Sequence, residues 1–201
     1  MYQFVETIRI KDGMPMNLNY HAERMNRTLS HFHSTCPPVS SSELLQDIPQ
    51  EPGLQKARVV YTPEGITLRE FHPYTIRNIN TIKVVTDDSI DYTWKSTDRS
   101  VLTRQRDKAP DADEVIIVRN GCVTDTSYTN LCFYDGNRWL TPDTPLLRGT
   151  MRQSLLDRHL IHEAHILASD LTSFSKVCLI NAMMDLGDMV LPIDRCMGII
   201  P

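Results

Sequence analysis

Paired cysteines are missing from this sequence. Its five cysteines, Cys36, Cys122, Cys132, Cys178 and Cys196, are odd in number, widely spaced and contain no Cys-x-x-Cys pair. That argues against a disulfide framework and for a reducing compartment, and three of the five lie in apolar runs where a reduced thiol behaves as a small hydrophobe. No apolar run approaches the length that spans a membrane. The first residues, "MYQFVETIRI", contain a glutamate and alternate in type, so they read as a strand and not as a signal peptide. Basic charge is not in excess either: the formal net charge is −4, which gives no global field for nucleic acid or an anionic lipid surface. The one basic cluster, "RQRDK" at 104–108, is short and interrupted and reads as a solvated face. GxGxxG after a strand, GxxxxGK[ST], GxSxG and HExxH are all absent, which removes the dinucleotide, P-loop, serine-hydrolase and zinc-protease readings. The expectation is a soluble, cytoplasmic protein with a small-molecule substrate, no nucleic-acid partner and no membrane.

What is present is ordinary globular composition, 41% hydrophobic and 23% charged over 201 residues, enough chain to bury a sizeable core without staples. "QFVETIRI" alternates as a strand, "KDG" turns it, and "MPMNL" returns. From an N-cap at Asn19, Ala22, Met25, Leu29 and Phe32 recur at helical spacing, with Arg24 close to the edge of that stripe. "STCPPVSSS" breaks the chain, "SSELLQDI" begins a short serine-capped helix, and "LQKARVVYTPEGITLREFHPY" is a hairpin about Pro-Glu-Gly. "TIRNIN" connects to a second unit of a buried strand "TIKVV", a short helix over 97–107, and a meander of "DEVIIV", "CVTD", "NLCFYDG" and "RWLTP". A helix then opens at Gly149 with Met151, Leu155, Leu156 and Leu160 on one face. "HILAS" reads as a strand, "SDLTSF" as a short helix, and "KVCLI" and "MVLPI" as further strands. The pattern predicts an α+β fold with a small N-terminal α/β domain over 1–76 and a strand-rich C-terminal domain over 77–201.

His159, His162 and His165 are spaced by threes and would share one side of a helix as conceivable metal ligands, though no acidic partner accompanies them. His31 and His33 point to different faces. Lys95, in "DYTWKSTDRS", is by itself an ordinary surface lysine. It gains meaning from its company. A lysine amine can hold an aldehyde cofactor covalently. Pyridoxal phosphate would need in addition a carboxylate against its pyridine nitrogen, a cation near its phosphate and a helix N-terminus offering free N–H groups. Asp125, Arg24 and the start of "RGTMRQ" supply one candidate for each.

The order and wording of these segments resemble the class IV aminotransferases, the fold-type IV pyridoxal phosphate enzymes. "ETIRIKDGMPMNLNYHAERMNRT" resembles the family's strand, Asp-Gly turn and His-x-x-Arg helix; "KSTDRS" sits where the family has its cofactor lysine. "DADEVIIVRNGCVTDTSYTNLCFYDGNRWLTP", "LLRGTMRQSLL" and "VCLINAMMDLGDMVLPI" follow in the family's order. The resemblance implies a two-domain fold-type IV architecture, shortened at both ends, that binds pyridoxal 5′-phosphate and forms a homodimer. It implies that Lys95 anchors the cofactor and then moves protons on the substrate, and that Asp125, one methylene shorter than the family's usual glutamate, faces the pyridine nitrogen. Arg24, Gly149, Thr150 and Met151, with Asn181 and Ala182 from a second loop, would hold the phosphate. His21 would be a structural neighbour, Asn130 would shape the turn beside the carboxylate, and Ser100 stands where many members have a tyrosine. Arg9 and Arg148 are available cations without an assigned role. No metal is implied.

"GTMRQ" and "INAMM" followed by "VLPI" resemble the family's 4-amino-4-deoxychorismate lyase branch, which eliminates pyruvate to leave 4-aminobenzoate for folate synthesis. An aminotransferase of the branched-chain or D-amino-acid type, and a catalytically silent relative acting as a binding module, are the alternative expectations.

Overall fold

The computed structural model describes residues 3–33 and 37–197; Ser34, Thr35 and Cys36, in the segment read as a break, lie outside them. The chain divides into two compact units, one of residues 1–76 with 94–98 and one of residues 77–93 with 99–201. The sequence reading ran the second domain unbroken from 77, whereas the short stretch that carries Lys95 packs with the first unit.

In the first unit, strands β1 (Phe4–Lys11), β2 (Met14–Pro15), β3 (Leu54–Thr62) and β4 (Gly65–Pro73) form an antiparallel sheet in the order β2-β1-β3-β4. The β1–β2 turn is the expected Asp-Gly: Asp12 and Gly13 both take positive φ, 50° and 78°, the twist a two-residue hairpin requires. Alternation along β1 turns Phe4, Glu6, Ile8 and Ile10 inward. Helix α1 (Leu18–Phe32) covers that face with Ala22, Met25 and Leu29. Two details differ from the sequence reading. The helix starts earlier, with Asn17 at its cap in the left-handed region (φ 57°) and Asn19 inside the first turn; asparagine tolerates that conformation better than most residues. Arg24 is not at the rim but buried, 6% exposed.

The second unit holds two sheets. In the first, β5 (Ile82–Thr86) runs parallel to β6 (Glu114–Arg119) and to β13 (Cys196–Met197), and β7 (Cys122–Thr126) pairs antiparallel with β6. Helix α2 (Ser100–Asp107) lies between β5 and β6 in the chain and buries Leu102 against Val115 and Ile117. The second sheet has the order β10-β9-β8-β11-β12, from β8 (Asn130–Tyr134), β9 (Trp139–Pro142), β10 (His162–Ala164), β11 (Lys176–Ile180) and β12 (Val190–Pro192). Helix α3 (Thr150–Asp157) connects the parallel pair β9 and β10 and buries Met151 and Leu155 against Cys132, Cys178 and Ile180.

Two expectations fail here. Leu160 lies beyond α3 and is 43% exposed, because the helix ends at Asp157 and His159 turns left-handed. "HILAS" is not a strand: β10 stops at Ala164, and a 3-10 turn over Ala168–Ser173 follows. His159, His162 and His165 therefore never share a helix face, and among the described residues no group of three or more His, Cys, Asp or Glu side chains is placed to hold a metal ion. No helix among them is long and apolar enough to cross a membrane.

Candidate active site

The first unit contains a buried charged cluster. Glu6 is the one carboxylate on the inward face of β1 and is fully buried. Arg24, from the covering face of α1, donates Nε to Glu6 Oε1 at 2.9 Å and Nη2 to Oε2 at 2.5 Å. This two-point pair leaves the Nη1 edge of the guanidinium outside it. His21, one turn earlier, lies with Nδ1 2.6 Å from Glu6 Oε2. Burial alone would push the Glu6 carboxyl up; the Arg24 charge and hydrogen bonds from His21 and Arg24 outweigh it and hold the group at about 2. His21 is lowered as well, but for it a lower value favours the neutral form. Burial, with the charges of Arg24 and Lys95, lowers it against the pull of Glu6, so it is a neutral imidazole at neutral pH.

Lys95 is half-buried, and its backbone is stitched to β1. Val5 donates its N–H to the Lys95 carbonyl at 2.9 Å, Ser96 bridges Phe4, and Thr97 donates to Gln3 O at 2.9 Å. Trp94 anchors the preceding position, its ring stacked on His31 at 4.5 Å and edge-on to Phe32 at 5.6 Å. The lysine therefore rises from a fixed backbone, close enough to His21 for the two to interact electrostatically. The sequence reading named Arg24 and Lys95 but missed Glu6. The signal was present: a glutamate in register with Phe4, Ile8 and Ile10 on an alternating strand is a charge turned inward, which requires a partner.

The second unit gathers the other residues. Asp125, near the end of β7, is buried and makes no ion pair among the described residues. Its Oδ1 accepts from Asn130 Nδ2 at 2.7 Å and its Oδ2 from the Leu147 N–H at 2.8 Å. Burial raises it to about 6, against the lowering effect of those donors and of the Arg152 charge. Asn130 also donates to Leu147 O at 2.8 Å, so one side chain ties the carboxylate to the loop leading into α3. Gly149 caps that helix, and a Cβ there would lie 1.9 Å from Asn130 Oδ1; the glycine is required by packing, since its φ of −69° and ψ of 144° suit any residue. Thr150 and Met151 are buried in the first turn, where backbone N–H groups lack partners within the helix. Arg152 fixes this turn to β9, donating to Thr141 Oγ1, to Pro142 O and to Glu163. Asn181 spends its side chain on its own loop, accepting from the Met183 N–H at 2.8 Å and donating to Tyr128 O at 3.4 Å. Ala182 sits at the crest of that turn, whose ends Asn181 and Met184 bond each other.

These residues fit pyridoxal phosphate. A buried, unpaired carboxylate raised by desolvation is a group that a pyridine N–H⁺ would stabilise, and a helix start entered through a packing-required glycine suits an anion. Such a carboxylate and helix start on a strand-rich mixed scaffold are what a pyridoxal phosphate enzyme requires. The chain belongs to the amino-transferase class IV family, whose model matches residues 3–193. It is 36% identical over 186 residues to an uncharacterized protein of Haemophilus influenzae, covering 91% of this chain and 98% of that one. Its structure is similar to that of a proposed 4-amino-4-deoxychorismate lyase of Haemophilus somnus 129PT, with a TM-score of 0.87 and 33% identity over 92% of this chain and 98% of the other. A hypothetical aminotransferase of Mycobacterium tuberculosis in its PLP-bound form shares the fold, with a TM-score of 0.75 and 16% identity over 94% of this chain and 80% of the other. The family is one of PLP-dependent enzymes acting on small amino compounds.

Proposed function

We propose that the protein is a PLP-dependent 4-amino-4-deoxychorismate lyase that releases pyruvate and leaves 4-aminobenzoate, a folate precursor. The observation that carries this reading is the near end-to-end likeness to the Haemophilus somnus protein at 33% identity. A proposed amino-acid aminotransferase of Mesorhizobium loti that shares the fold is 21% identical, a level that speaks to fold alone.

Lys95 would hold the cofactor through its amine, and the same amine is the group that would take the proton from the substrate carbon that bears nitrogen. Its fixed backbone sets the point from which the flexible side chain carries Nζ to the substrate. The bound cofactor supplies an electron-withdrawing ring that accommodates the charge left on that carbon. Asp125 would accept the ring N–H and so keep the ring protonated; Arg24, Gly149, Thr150, Met151, Asn181 and Ala182 would hold the phosphate, Asn181 chiefly by shaping its loop. Pyruvate then leaves as the substrate ring becomes aromatic. Glu6 neutralises Arg24 and fixes its orientation, and neutral His21 completes that pair without adding charge. The proposal includes a homodimer, as the family resemblance implies, and a cytoplasmic location, for which the unpaired cysteines argue.

The test is product analysis. Purified enzyme given 4-amino-4-deoxychorismate, prepared enzymatically, should release 4-aminobenzoate and pyruvate in equal amounts with no keto acid added. Turnover that requires an added keto acid, with amino-group transfer to it, would replace the lyase by the aminotransferase reading.

A further inference from the structure

Cys122, His165 and Asp143 form a second constellation, brought together by the start of β7 and the segments just beyond β9 and β10 and unused by the proposed lyase chemistry. Cys122 Sγ lies 3.6 Å from His165 Nε2, and His165 Nδ1 lies 3.3 Å and 3.4 Å from the two Asp143 oxygens. A nucleophile within hydrogen-bond reach of an imidazole, whose other nitrogen faces a carboxylate, is the arrangement that activates a thiol.

Backbone bonds on every side build the site. Cys122 opens β7 immediately after the Asn120-Gly121 turn, where both residues take positive φ. The segment carrying His165 is laid against it: Cys122 bridges Leu167, Val123 donates to Ile166 O, and Ala168 donates to Gly121 O, the last two at 2.9 Å. Asp143 is held by its N–H to Ala164 O at 3.0 Å, and Thr144 donates to Val123 O at 2.9 Å. Three chain segments thus meet in fixed register, and the side chains follow. The site is open to solutes: the His165 and Asp143 side chains are 59% and 39% exposed, and Cys122 is half-buried. The remaining described cysteines contrast with it. Cys132, Cys178 and Cys196 are buried, and burial pushes each thiol up, Cys196 to about 12, which suppresses the reactive thiolate.

We propose that Cys122 is a reactive thiol that exchanges with low-molecular-weight disulfides, with His165 as its base and Asp143 as the group that orients His165. In the exchange His165 Nε2 takes the thiol proton as Sγ attacks one sulfur of the disulfide. A new S–S bond joins Cys122 to that half, the original S–S bond breaks, and the departing thiolate is protonated by His165. No external oxidant is needed, since one disulfide replaces another.

The experiment uses the full chain in a Cys36→Ser background, because Cys36 lies outside the described residues, with oxidised glutathione as the probe at pH 7. Intact mass and peptide mapping follow the rate at which Cys122 forms the mixed disulfide. An ordinary thiol is only a few per cent ionised at pH 7, so a base can gain roughly thirtyfold at most, and we expect His165→Gln to lose about tenfold. Asp143→Asn, which keeps the backbone contacts, should lose about threefold, as a misoriented base still acts part of the time. Both changes are at exposed side chains and should leave the circular dichroism spectrum unchanged. Equal rates for the parent, His165→Gln and Asp143→Asn, or faster modification at a buried cysteine than at Cys122, would overturn the proposal.

Discussion

Replacing Gly149 by alanine isolates one contact. Its backbone angles are ordinary, and Gly→Ala at such a position stabilises by about 0.4–1 kcal/mol through the unfolded chain. The preference against alanine at a helix N-cap offsets a similar amount. Without the contact the change would therefore be nearly neutral. With it, the new methyl lands 1.9 Å from Asn130 Oδ1, and Asn130 must swing away from Asp125 and Leu147 O. A hydrogen bond to a charged group contributes about 1.5–3 kcal/mol and a neutral one about 1, so Gly149→Ala should cost about 3 kcal/mol. Asn130→Ala removes the same two bonds and should cost a similar amount. The double variant should cost no more than Asn130→Ala alone, a coupling of about 3 kcal/mol between residues far apart in sequence. Urea denaturation of the cofactor-free protein at pH 7 measures all four corners. A Gly149→Ala variant as stable as the parent, or two additive single changes, would refute the claim that Asn130 links the carboxylate to the helix start.

Further consequences follow from the two charged groups. Glu6→Gln leaves Arg24 buried without its carboxylate and should destabilise by about 3–5 kcal/mol in the same assay; a loss below 1 kcal/mol would contradict the buried-pair description. Glu6 is lowered to about 2 from 4.5, so the stability it contributes is complete above pH 4.5 and is lost as pH falls through 2, on the order of 3 kcal/mol; the parent-minus-Glu6→Gln difference should shrink across that window. Asp125 has the opposite sign. Raised to about 6 from 3.8, it favours folding below pH 4 and loses about 3 kcal/mol as pH rises through 6, so the cofactor-free parent should lose that much relative to Asp125→Ala between pH 4 and 7. A flat difference would show that Asp125 is not desolvated.

The local elements were legible where chemistry is local. Asp12-Gly13 and Asn120-Gly121 mark hairpins because left-handed turns favour those residues, and the spacing of Ala22, Met25 and Leu29 carries the buried face of α1. Long-range pairing was not legible. Nothing in "HILAS" reveals that Ile166 and Leu167 are taken up by backbone bonds to β7 in place of a strand ladder. The return of Trp94–Asp98 to the first unit depends on the edge of β1 at Gln3 and Val5, a partner far away in the chain. Arg24 and Asp125 were found by resemblance, but their surroundings were not. Glu6 was readable from the register of its own strand, whereas the dependence of Gly149 on Asn130 exists only once β8 and α3 are folded together.

The central claim is that Lys95 anchors pyridoxal phosphate. The most direct measurement is the visible absorption spectrum of the purified, cofactor-stripped protein titrated with pyridoxal phosphate, beside Lys95→Ala, each followed by borohydride and peptide mapping. The account predicts a saturable new band in the parent, label fixed on the Lys95 peptide, and neither in the variant. A parent that shows no band at saturating cofactor, or a Lys95→Ala protein with the same band, would contradict it.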